Sequence, residues 1–417
     1  MEVNAVNKEP VGCRGPKGDW KSYKDVRIGV YAICADEPEE FIDRWLESMS
    51  GADAIYVLVT KKNNPNYDYL CKRAYEDAFK SKLTVQEEEI KPWRFDVARN
   101  RSLLMVNPNE VDALVCTDID EILIEDFWDD YRKMVYEHPS FERIYYKYAW
   151  SHQADGSPSK CFWYDKTHQP TGWKWQFPVH EALQKLEWLE TEGSFWLDEN
   201  KVYLHHYPDQ TKSRGSYLAL LELRAKENPD DLSGVHYLAR EYGFHDQHFE
   251  AINTAFSLYV RICRLQLKNP QSPDVEMLSS VCVMIGREFE QLGLREESSY
   301  WFSKSICYCG ALREGFVRLA QRQVWNGKPD AAEETLRLME ENAVKTQDWR
   351  EEPYCWRVWK INQIKADICM WRGKYEEAEV LMKEAEADIK DDSDKALAYH
   401  EGFYGDLEFL KEKLKKE

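Results

Sequence analysis

ALVCTDIDE, residues 113–121, is the stretch of this sequence on which the fold prediction depends. Its first part, Ala113 to Thr117, is a short apolar run of the kind that forms a buried strand. Side chains alternate along an extended segment, so we expect Asp118 and Asp120 on one side while Ile119 points back into the core. Carboxylate oxygens are the ligands that Mg²⁺ and Mn²⁺ prefer. The stretch therefore predicts a metal site at the end of a buried strand, with Asp118 and Asp120 as ligands.

The residues before this stretch alternate between strand and helix patterns. The predicted strands are Val26–Cys34, Ala54–Thr60 and Leu83–Ile90, and the predicted helices begin at Pro38 and cover Tyr67–Lys80 and Asp96–Val106. Such alternation is typical of parallel βαβ units, in which ligands bind at the carboxyl ends of the strands. We therefore predict a Rossmann-like α/β domain with a mostly parallel sheet.

The α/β domain is predicted to span residues 26–212, after a loose arm, residues 1–25, that is polar and rich in Gly and Pro. Its second half changes character. Strand-like runs, Arg143–Tyr148 and Lys201–His205, are separated there by aromatic loops. We interpret this region as a continuation of the same domain.

Trp93–Arg101 reads WRFDVARNR and carries the second candidate motif. If a helix starts near Asp96, that residue is its N-cap, and Arg99 and Asn100 lie in the first turn. Helix N-termini attract anions, so Arg99 is predicted to hold either a phosphate or an acidic loop. A salt-bridged helix start without a ligand is the alternative.

Trp173–Glu181 reads WKWQFPVHE and carries the third motif. Adjacent residues of an extended segment point to opposite sides, so His180 and Glu181 are expected to have different surroundings. Glu181 is our candidate general base, with His180 beside it, and Trp173 or Trp175 is the candidate wall for a second substrate. The alternative is an aromatic turn that packs on the sheet.

The fourth motif is the pair His205-His206, which ends an apolar run. A neutral imidazole is an acceptable further ligand for Mn²⁺, so His205 and His206 join Asp118 and Asp120 as candidate metal ligands. The sequence leaves open which of the two faces the metal. A buried structural histidine is the alternative for either residue.

Residues 213–417 are predicted to be almost entirely helical and to contain a degenerate repeat. Each segment has a small residue in one helix, then a turn, and then a small residue in the next helix. The second small residues are Ala251, Ser298, Ala332 and Ala378. Their separations are 47, 34 and 46 residues, and the middle value is that of a tetratricopeptide (TPR) repeat. We predict a TPR-like array, with a generic α-solenoid as the alternative, and a role in peptide or protein binding or in dimerisation.

Charge and composition narrow the range of partners. The chain has 56 Lys and Arg against 75 Asp and Glu, a formal net charge of −19, which disfavours duplex DNA. It has no apolar run of the roughly 20 residues that a membrane helix needs. Its eleven cysteines are scattered without a regular spacing. We expect reduced thiols, a cytoplasmic location and no membrane partner.

The order of these motifs resembles that of the family 2-like GT-A glycosyltransferases with appended TPR repeats, among them the peptide S-glycosyltransferases that modify bacteriocins. The resemblance covers roughly residues 26–380. It implies an inverting transfer of sugar from a nucleoside diphosphate sugar, a UDP-sugar in the first instance, with Mn²⁺ or Mg²⁺ as the cofactor. It also implies a peptide or protein acceptor for the repeats and is compatible with a homodimer.

The same resemblance implies roles for individual residues. Asp118 would contact ribose or metal, Asp120 the metal, and His205 or His206 would complete the metal ligands. The residues implied to surround the nucleotide sugar are Asp36, Arg99, Asn100, Asp118, Trp173 and Trp175. Glu181 falls on the family's His-Glu element.

Two other functions stay open at this point. One is a catalytically weak repeat scaffold that binds a nucleotide sugar without turning it over. The other is a glycosyltransferase that acts on a polysaccharide, a lipid or a modified nucleobase. Turnover of any nucleotide sugar would distinguish the enzymes from the scaffold.

Overall fold

The computed structural model describes residues 20–152, 155–209, 215–268, 274–344, 353–390 and 392–415. The chain divides into two compact units. The first comprises Met1–Ser151 and Cys161–Arg214, and the second comprises His152–Lys160 and Gly215–Glu417. The predicted boundary at 212/213 lies close to the one found, but the sequence did not predict that residues 152–160 group with the helical unit. Most of the predicted arm, residues 1–19, lies outside the described residues.

The first unit contains a sheet in the order β3-β2-β1-β4-β8, in which β1 to β4 are parallel and β8 runs antiparallel to β4. Its strands are β1 (Ile28–Cys34), β2 (Ala54–Val59), β3 (Leu83–Glu87), β4 (Ala113–Cys116) and β8 (Thr167–His168). The helices that connect the parallel strands are α1 (Glu39–Ser48), α2 (Pro65–Arg73) and α3 (Phe95–Leu104). The predicted alternation of strands and helices is therefore confirmed.

Burial explains why these segments became strands. All residues of β2 and β4 are buried, as expected for central strands covered on both faces, whereas β3 alternates and forms the edge. The start of α3 was predicted wrongly. Arg94 is its N-cap residue, and the Asp96 carboxylate accepts bonds from the Arg94 guanidinium and the Val97 amide instead.

A second sheet follows in the same unit, in the order β11-β6-β12-β5, with β7 paired to β6. Its strands are β5 (Glu121–Leu123), β6 (Phe141–Ala149), β7 (Cys161–Tyr164), β11 (Gly193–Trp196) and β12 (Val202–His206). The strands β9 (Trp173–Gln176) and β10 (Ala182–Lys185) form an antiparallel hairpin, and α4 (Asp126–Glu137) follows β5. Aromatic residues of α4 and β6 pack into the same core as the first sheet, so both sheets belong to one unit.

The second unit is an array of helices in which neighbours along the chain pack together. Four helix hairpins are formed by α6 (Leu232–Phe244) with α7 (His248–Lys268), α8 (Val275–Gln291) with α9 (Arg295–Tyr308), α10 (Arg313–Trp325) with α11 (Pro329–Asn342), and α12 (Val358–Trp371) with α13 (Tyr375–Asp388). The flanking helices are α5 (Tyr217–Glu227), α14 (Asp392–His400) and α15 (Phe403–Leu414). The predicted helical repeat is present.

The four hairpins turn at equivalent positions. The small residues on the first helices are Ala239, Gly286, Ala320 and Ala366. Seven residues after each of them, the backbone adopts a left-handed conformation, with φ between 55° and 75°. The left-handed residues are Asp246, Gly293, Gly327 and Gly373. The next amide donates to the carbonyl five residues earlier at 2.9 Å in all four turns: Gln247 to Tyr242, Leu294 to Phe289, Lys328 to Gln323 and Lys374 to Cys369. This is the bonding of a Schellman C-cap, so each repeat ends its first helix in the same way.

The four small residues that define the repeat on the second helices are all fully buried. Close packing also explains the small residues on the first helices. A Cβ at Gly286 would lie 2.5 Å from the Phe302 ring, which leaves no room for any side chain there. The α-helical packing thus follows from the sequence pattern.

Two further findings concern the described ranges as a whole. None of their helices has the length and apolar character needed to cross a bilayer. The ten cysteines within them carry free thiols.

Candidate functional site

The predicted site residues gather at one edge of the first sheet. The parallel strands β1, β2 and β4 end there, so the segments that follow them, Ala35–Asp36, Thr60–Lys61 and Thr117–Asp118, share that edge. The chain runs from β1 to β2 on one side, while β4 lies on the other side of β1. Strand order therefore reverses between β1 and β4, and ligands of open α/β sheets bind at such a point.

Asp118 is held by two cations at this edge. The Arg99 Nη2 atom lies 2.5 Å from Asp118 Oδ1, and Lys166 Nζ lies 3.2 Å from Oδ2. Burial opposes ionisation of this carboxyl, but Coulombic attraction by Arg99 and Lys166 outweighs it and holds the pKa of Asp118 well below its usual range. Asp118 is therefore an ionised residue fixed by salt bridges. Its predicted role as a metal ligand stays a prediction.

Glu121 is the second buried acid of the cluster, only 1% exposed. Its Oε2 accepts the Asp118 amide at 2.8 Å. Burial raises the pKa of Glu121 to about 7, against the attraction of Lys166 and together with repulsion by Asp118. The sequence motif contained Glu121, but its alternation placed only the two aspartates at the site.

Asp120 faces His206. The His206 Nε2 atom lies 3.5 Å from Asp120 Oδ2, while its Nδ1 lies 3.1 Å from the Trp150 carbonyl oxygen. Because a carbonyl only accepts, Nδ1 must donate, and Nε2 of a neutral ring then presents a lone pair to a carboxylate. Two acceptors face each other unless a proton or a cation lies between them. Burial alone would lower the pKa of His206, but the bond to Asp120 and its charge raise it.

This geometry answers the question of which histidine faces the site. His205 and His206 are successive residues of β12, so their side chains lie on opposite faces of the sheet. The His205 ring stacks on Tyr207, with centroids 6.4 Å apart. Asp120 therefore pairs with His206, and His205 has separate surroundings.

Glu181 is bound to the same arginine as Asp118. Arg99 Nε lies 2.5 Å from Glu181 Oε1, and Arg99 Nη1 contacts the Cys116 sulfur at 3.2 Å. Arg99 thus links the loop after β9 to the end of β4, because it binds Glu181 in the first and Asp118 just after the second. Of the two roles predicted for Arg99, contact with acidic residues is the one observed.

The turn between β9 and β10 has an unusual backbone. Phe177 and His180, neither of them glycine, have φ of 78° and 47°. The Pro178 carbonyl accepts the amide of Phe95 at 3.0 Å, which links the turn to the start of α3. Left-handed non-glycine residues concentrate at functional sites, and this turn carries His180 to the position next to Glu181.

Trp173 and Trp175 lie in the core, 4% and 3% exposed. The Trp175 indole donates to the Tyr31 hydroxyl at 2.8 Å, and the Arg143 guanidinium covers the Trp173 ring at 4.0 Å. A substrate cannot reach faces that the protein already covers. The alternative proposed from the sequence, an aromatic turn packed on the sheet, describes these two residues, and they do not form an exposed wall.

The side chain of Asn100 binds the backbone of the β9–β10 hairpin. Its amide nitrogen donates to the Trp175 carbonyl and its oxygen accepts the Trp175 amide, both at 2.8 Å. Both ends of the side chain are therefore engaged with backbone. A role for Asn100 towards a nucleotide stays a prediction.

Asp36 lies at the neighbouring part of the edge, after β1. Its carboxylate pairs with Lys61 and accepts from the Asn64 amide at 3.3 Å. Asp36 is well exposed, unlike Asp118, so it remains accessible to a ligand. Its predicted contact with the nucleotide is compatible with this position.

The charges of the cluster do not balance. With His206 neutral, Arg99 and Lys166 supply two positive charges, whereas Asp118, Asp120 and Glu181 supply three negative charges when ionised, and Glu121, with a pKa of about 7, adds part of a fourth. Within the described ranges, no three or more His, Cys, Asp or Glu side chains are arranged to hold a metal ion. Mg²⁺ commonly takes one or two protein ligands and completes its shell with water and substrate phosphates. Asp120 and His206 fit that requirement, and the unbalanced charge favours a cation beside them.

Lys166 is the site residue that sequence reasoning missed. It follows the aromatic strand β7 in the run YDKTH and is only 9% exposed. A buried lysine needs an acidic partner, but the sequence places Lys166 far from Asp118 along the chain. The pairing of β8 with β4 brings Lys166 next to Asp118, and no local sequence pattern predicts this pairing.

A cavity of about 320 Å³ lies elsewhere in the first unit, between α4 and the residues around the start of β12. Its lining residues are Asp130, Lys133, Met134, Glu137, Leu197, Asp198, Lys201 and Tyr203. None of the predicted site residues lines it. The charge cluster at the sheet edge is therefore the candidate site on chemical grounds.

Comparisons with known proteins give fold-level likenesses only. No family model matches the chain, and no curated protein matches it. Solved structures similar to it include a thermophilic TPR protein from Thermus thermophilus, at 18% identity and a TM-score of 0.31, covering 46% of this chain and 90% of that one. A tetratricopeptide repeat protein from Parabacteroides merdae matches at 13% identity and a TM-score of 0.32, covering 48% and 71%. YrrB, a TPR protein with an unusual peptide-binding site, matches at 11% identity and a TM-score of 0.30, covering 45% and 83%.

TM-scores and identities of this size carry no inference about function. The helical repeat of the second unit rests instead on its own hairpins, their equivalent turns and their buried small residues.

Proposed function

We propose that the first unit is a GT-A-type glycosyltransferase domain that uses a nucleoside diphosphate sugar and a divalent cation, and that the helical unit presents a peptide or protein acceptor. The observation that carries the proposal is the charge cluster at the strand-order reversal. Its acids outnumber its lysine and arginine side chains, and one of the acids, Asp120, faces a histidine nitrogen rather than a lysine or arginine.

Each part of the cluster has a role in this proposal. Asp36 and the loop after β2 contact the nucleoside, since they lie at the exposed part of the sheet edge. Asp120 and His206 would hold Mn²⁺ or Mg²⁺, and the ion would neutralise the departing diphosphate. Arg99 and Lys166 hold Asp118 ionised and in one orientation.

Glu181 is the proposed general base. Arg99 Nε binds Oε1 and so orients the carboxylate. This contact involves only one of the two carboxylate oxygens. Replacement Glu181→Gln should keep donor binding and lower transfer about 10²–10⁴-fold, the scale of a general base. Unchanged transfer in this variant would remove Glu181 from the mechanism.

The direct experiment is cation-dependent hydrolysis of nucleotide sugars. Purified protein is incubated with UDP-, GDP- and dTDP-sugars in Mn²⁺, in Mg²⁺ and in EDTA, and released nucleotide is measured. The proposal expects turnover of at least one donor in Mn²⁺ or Mg²⁺ and none in EDTA. Equal release in EDTA, or no release with the whole panel, would contradict it.

A scaffold without turnover is the second candidate. It is favoured by the Arg99–Glu181 ion pair, which gives Glu181 a structural reason to be present. Binding of a nucleotide sugar without hydrolysis or transfer would support the scaffold. Transfer to a polysaccharide, a lipid or a modified nucleobase in an acceptor panel would support the enzyme with a different acceptor.

A further inference from the structure

Two exposed aromatic residues are bonded through their backbone to the Asp120–His206 pair. Trp150 is 47% exposed and Tyr207 is 39% exposed. The Trp150 carbonyl accepts the His206 Nδ1 proton, and the Tyr207 amide donates to the Asp120 carbonyl at 2.8 Å. Each aromatic is therefore fixed by its own backbone to one member of the pair.

The ring positions are also defined. The centroid of the Trp150 ring is 6.2 Å from that of His206, with the planes tilted by 33°. The Tyr207 ring stacks on His205 and carries the Arg44 guanidinium 5.0 Å from its centroid. The Trp150 ring thus stands beside the imidazole of the pair with part of its surface in solvent, whereas the Tyr207 ring lies on the His205 face of β12.

Three other tryptophans of this unit are covered by the fold, whereas Trp188 and Trp196 are 44% and 54% exposed. Trp45, Trp173 and Trp175 are all at most 4% exposed. Leaving half of an indole in water forgoes about 25 cal/mol for each Å² of apolar surface. A Trp held at the mouth of a charged site in this way fits a ligand that has both an apolar ring face and polar edges.

We propose that Trp150 stacks on the sugar ring of the bound donor. This inference rests on the proposed function and identifies its sugar subsite. Charge complementarity selects the occupant. A cation held by Asp120 and His206 would bind the diphosphate, and the group that follows the diphosphate in a nucleoside diphosphate sugar is the sugar.

The test separates sugar from nucleotide. Binding of UDP, UDP-glucose and UDP-N-acetylglucosamine to the full chain is measured by calorimetry in Mn²⁺, for the natural protein and for Trp150→Ala. Loss of the indole should weaken sugar-nucleotide binding roughly threefold to tenfold, the scale of one aromatic contact, and leave UDP binding within about twofold. Trp150→Phe should recover most of the loss, because it keeps an aromatic face.

Trp188→Ala is the matched control, since Trp188 is 44% exposed in the same unit. It should change no affinity. Equal weakening of UDP and of the sugar nucleotides by Trp150→Ala, or no weakening of either, would overturn the sugar subsite while leaving the proposed function in place. If the natural protein binds none of these three compounds and none of the corresponding GDP and dTDP compounds, the proposed function fails and the subsite fails with it.

Discussion

Asp120 and His206 present two lone-pair atoms to each other across 3.5 Å, because the Trp150 carbonyl takes the only proton of a neutral imidazole. The pair therefore gains from any positive charge placed between its members. A proton can supply that charge, and in the proposed site a divalent cation would compete with it. At the residue scale, this competition is the chemical basis of the proposed site.

Removing one member of the pair tests it directly. Asp120→Ala and His206→Ala should each weaken Mn²⁺-dependent nucleotide binding at least about 10-fold, since each would remove a proposed ligand of the ion. His205→Ala is the control, because His205 lies on the other face of β12. Calorimetric titrations of UDP with and without Mn²⁺ measure the effect. If His205→Ala and His206→Ala weaken binding equally, the assignment is wrong.

His168 gives a prediction about pH. It is fully buried, bonded to the Tyr31 hydroxyl at 2.8 Å, and burial lowers its pKa to about 3. In the unfolded chain, His168 has a pKa of about 6.5 and binds a proton below that pH. In the folded protein it stays neutral down to a much lower pH. Stability from His168 is therefore complete above about pH 6.5 and is lost as the pH falls towards 3.

The size of this loss follows from the linkage relation. Each pH unit in that window costs about 1.4 kcal/mol, so between about pH 7 and pH 5 the first unit should lose about 2 kcal/mol through His168. Urea unfolding at both pH values, for the natural protein and for His168→Gln, isolates this contribution. The same pH dependence in both proteins would show that His168 does not carry it.

The residue types at the site could be predicted from sequence, but several of their contacts could not. The sequence around Asp118 correctly predicted a buried strand with acidic residues at its carboxyl end. An apolar run followed by acids can be recognised from neighbouring residues alone. The partners Arg99 and Lys166 are set by how α3 and β8 pack on β4, which is not a local signal. Trp173 and Trp175 were assigned to a ligand because the sequence does not distinguish an indole that faces a ligand from one that faces Tyr31.

At the scale of elements, the four helix hairpins share one turn geometry but not one residue. Three turns place glycine at the left-handed position, whereas the first places Asp246 there, with φ of 55°. Left-handed backbone costs an L-residue roughly 1–2 kcal/mol, less for Asp than for most. The first hairpin therefore stores strain that the others avoid.

Relieving that strain should stabilise the array. Asp246→Gly is expected to raise the free energy of unfolding of the helical unit by about 0.5–1 kcal/mol. Gly373→Ala should lower it by about 1 kcal/mol, because its φ is 70° and a Cβ there would contact nothing within 4 Å. Urea melts monitored by circular dichroism give both values. Opposite signs are the expected result, and loss of stability in Asp246→Gly would point to a role of the carboxylate.

The spacing of small residues predicted these hairpins well because helix packing and turn chemistry both act over a few residues. Element ends were less predictable. The second helix, expected at Tyr67–Lys80, runs from Pro65 to Arg73, since Asn64 caps it earlier and turns follow its end. Asp96 looked like a helix cap but is bonded to Arg94.

At the scale of the whole molecule, a buried ion network fastens the C-terminal helices to the array. Lys360 on α12 is 0% exposed and donates to Glu401 at 2.8 Å, and Arg318 on α10 donates to the same carboxylate at 3.1 Å. Burial works against this carboxylate, but Arg318 and Lys360 lower the pKa of Glu401 to about 2. The network joins α10, α12 and the segment before α15.

Breaking the network should be costly. Lys360→Met leaves Glu401 buried without its ammonium partner and should lower the stability of the helical unit by about 3–5 kcal/mol. Lys365→Met, on the same helix, removes an exposed bridge to Glu340 and should cost less than about 1 kcal/mol. Thermal melts compare the two. A small effect of Lys360→Met would mean that Glu401 regains solvent without unfolding the array.

The division of the chain has a consequence for its synthesis. Residues 152–160 belong to the helical unit but emerge from the ribosome before Cys161–Arg214, which complete the α/β unit. Arg357, which bonds Ser159 at 3.2 Å, is made much later still. The strands on both sides of residues 152–160 are therefore synthesised, and can pair, before Arg357 is made. No single protease cut separates the two units into fragments that each contain all of their own residues.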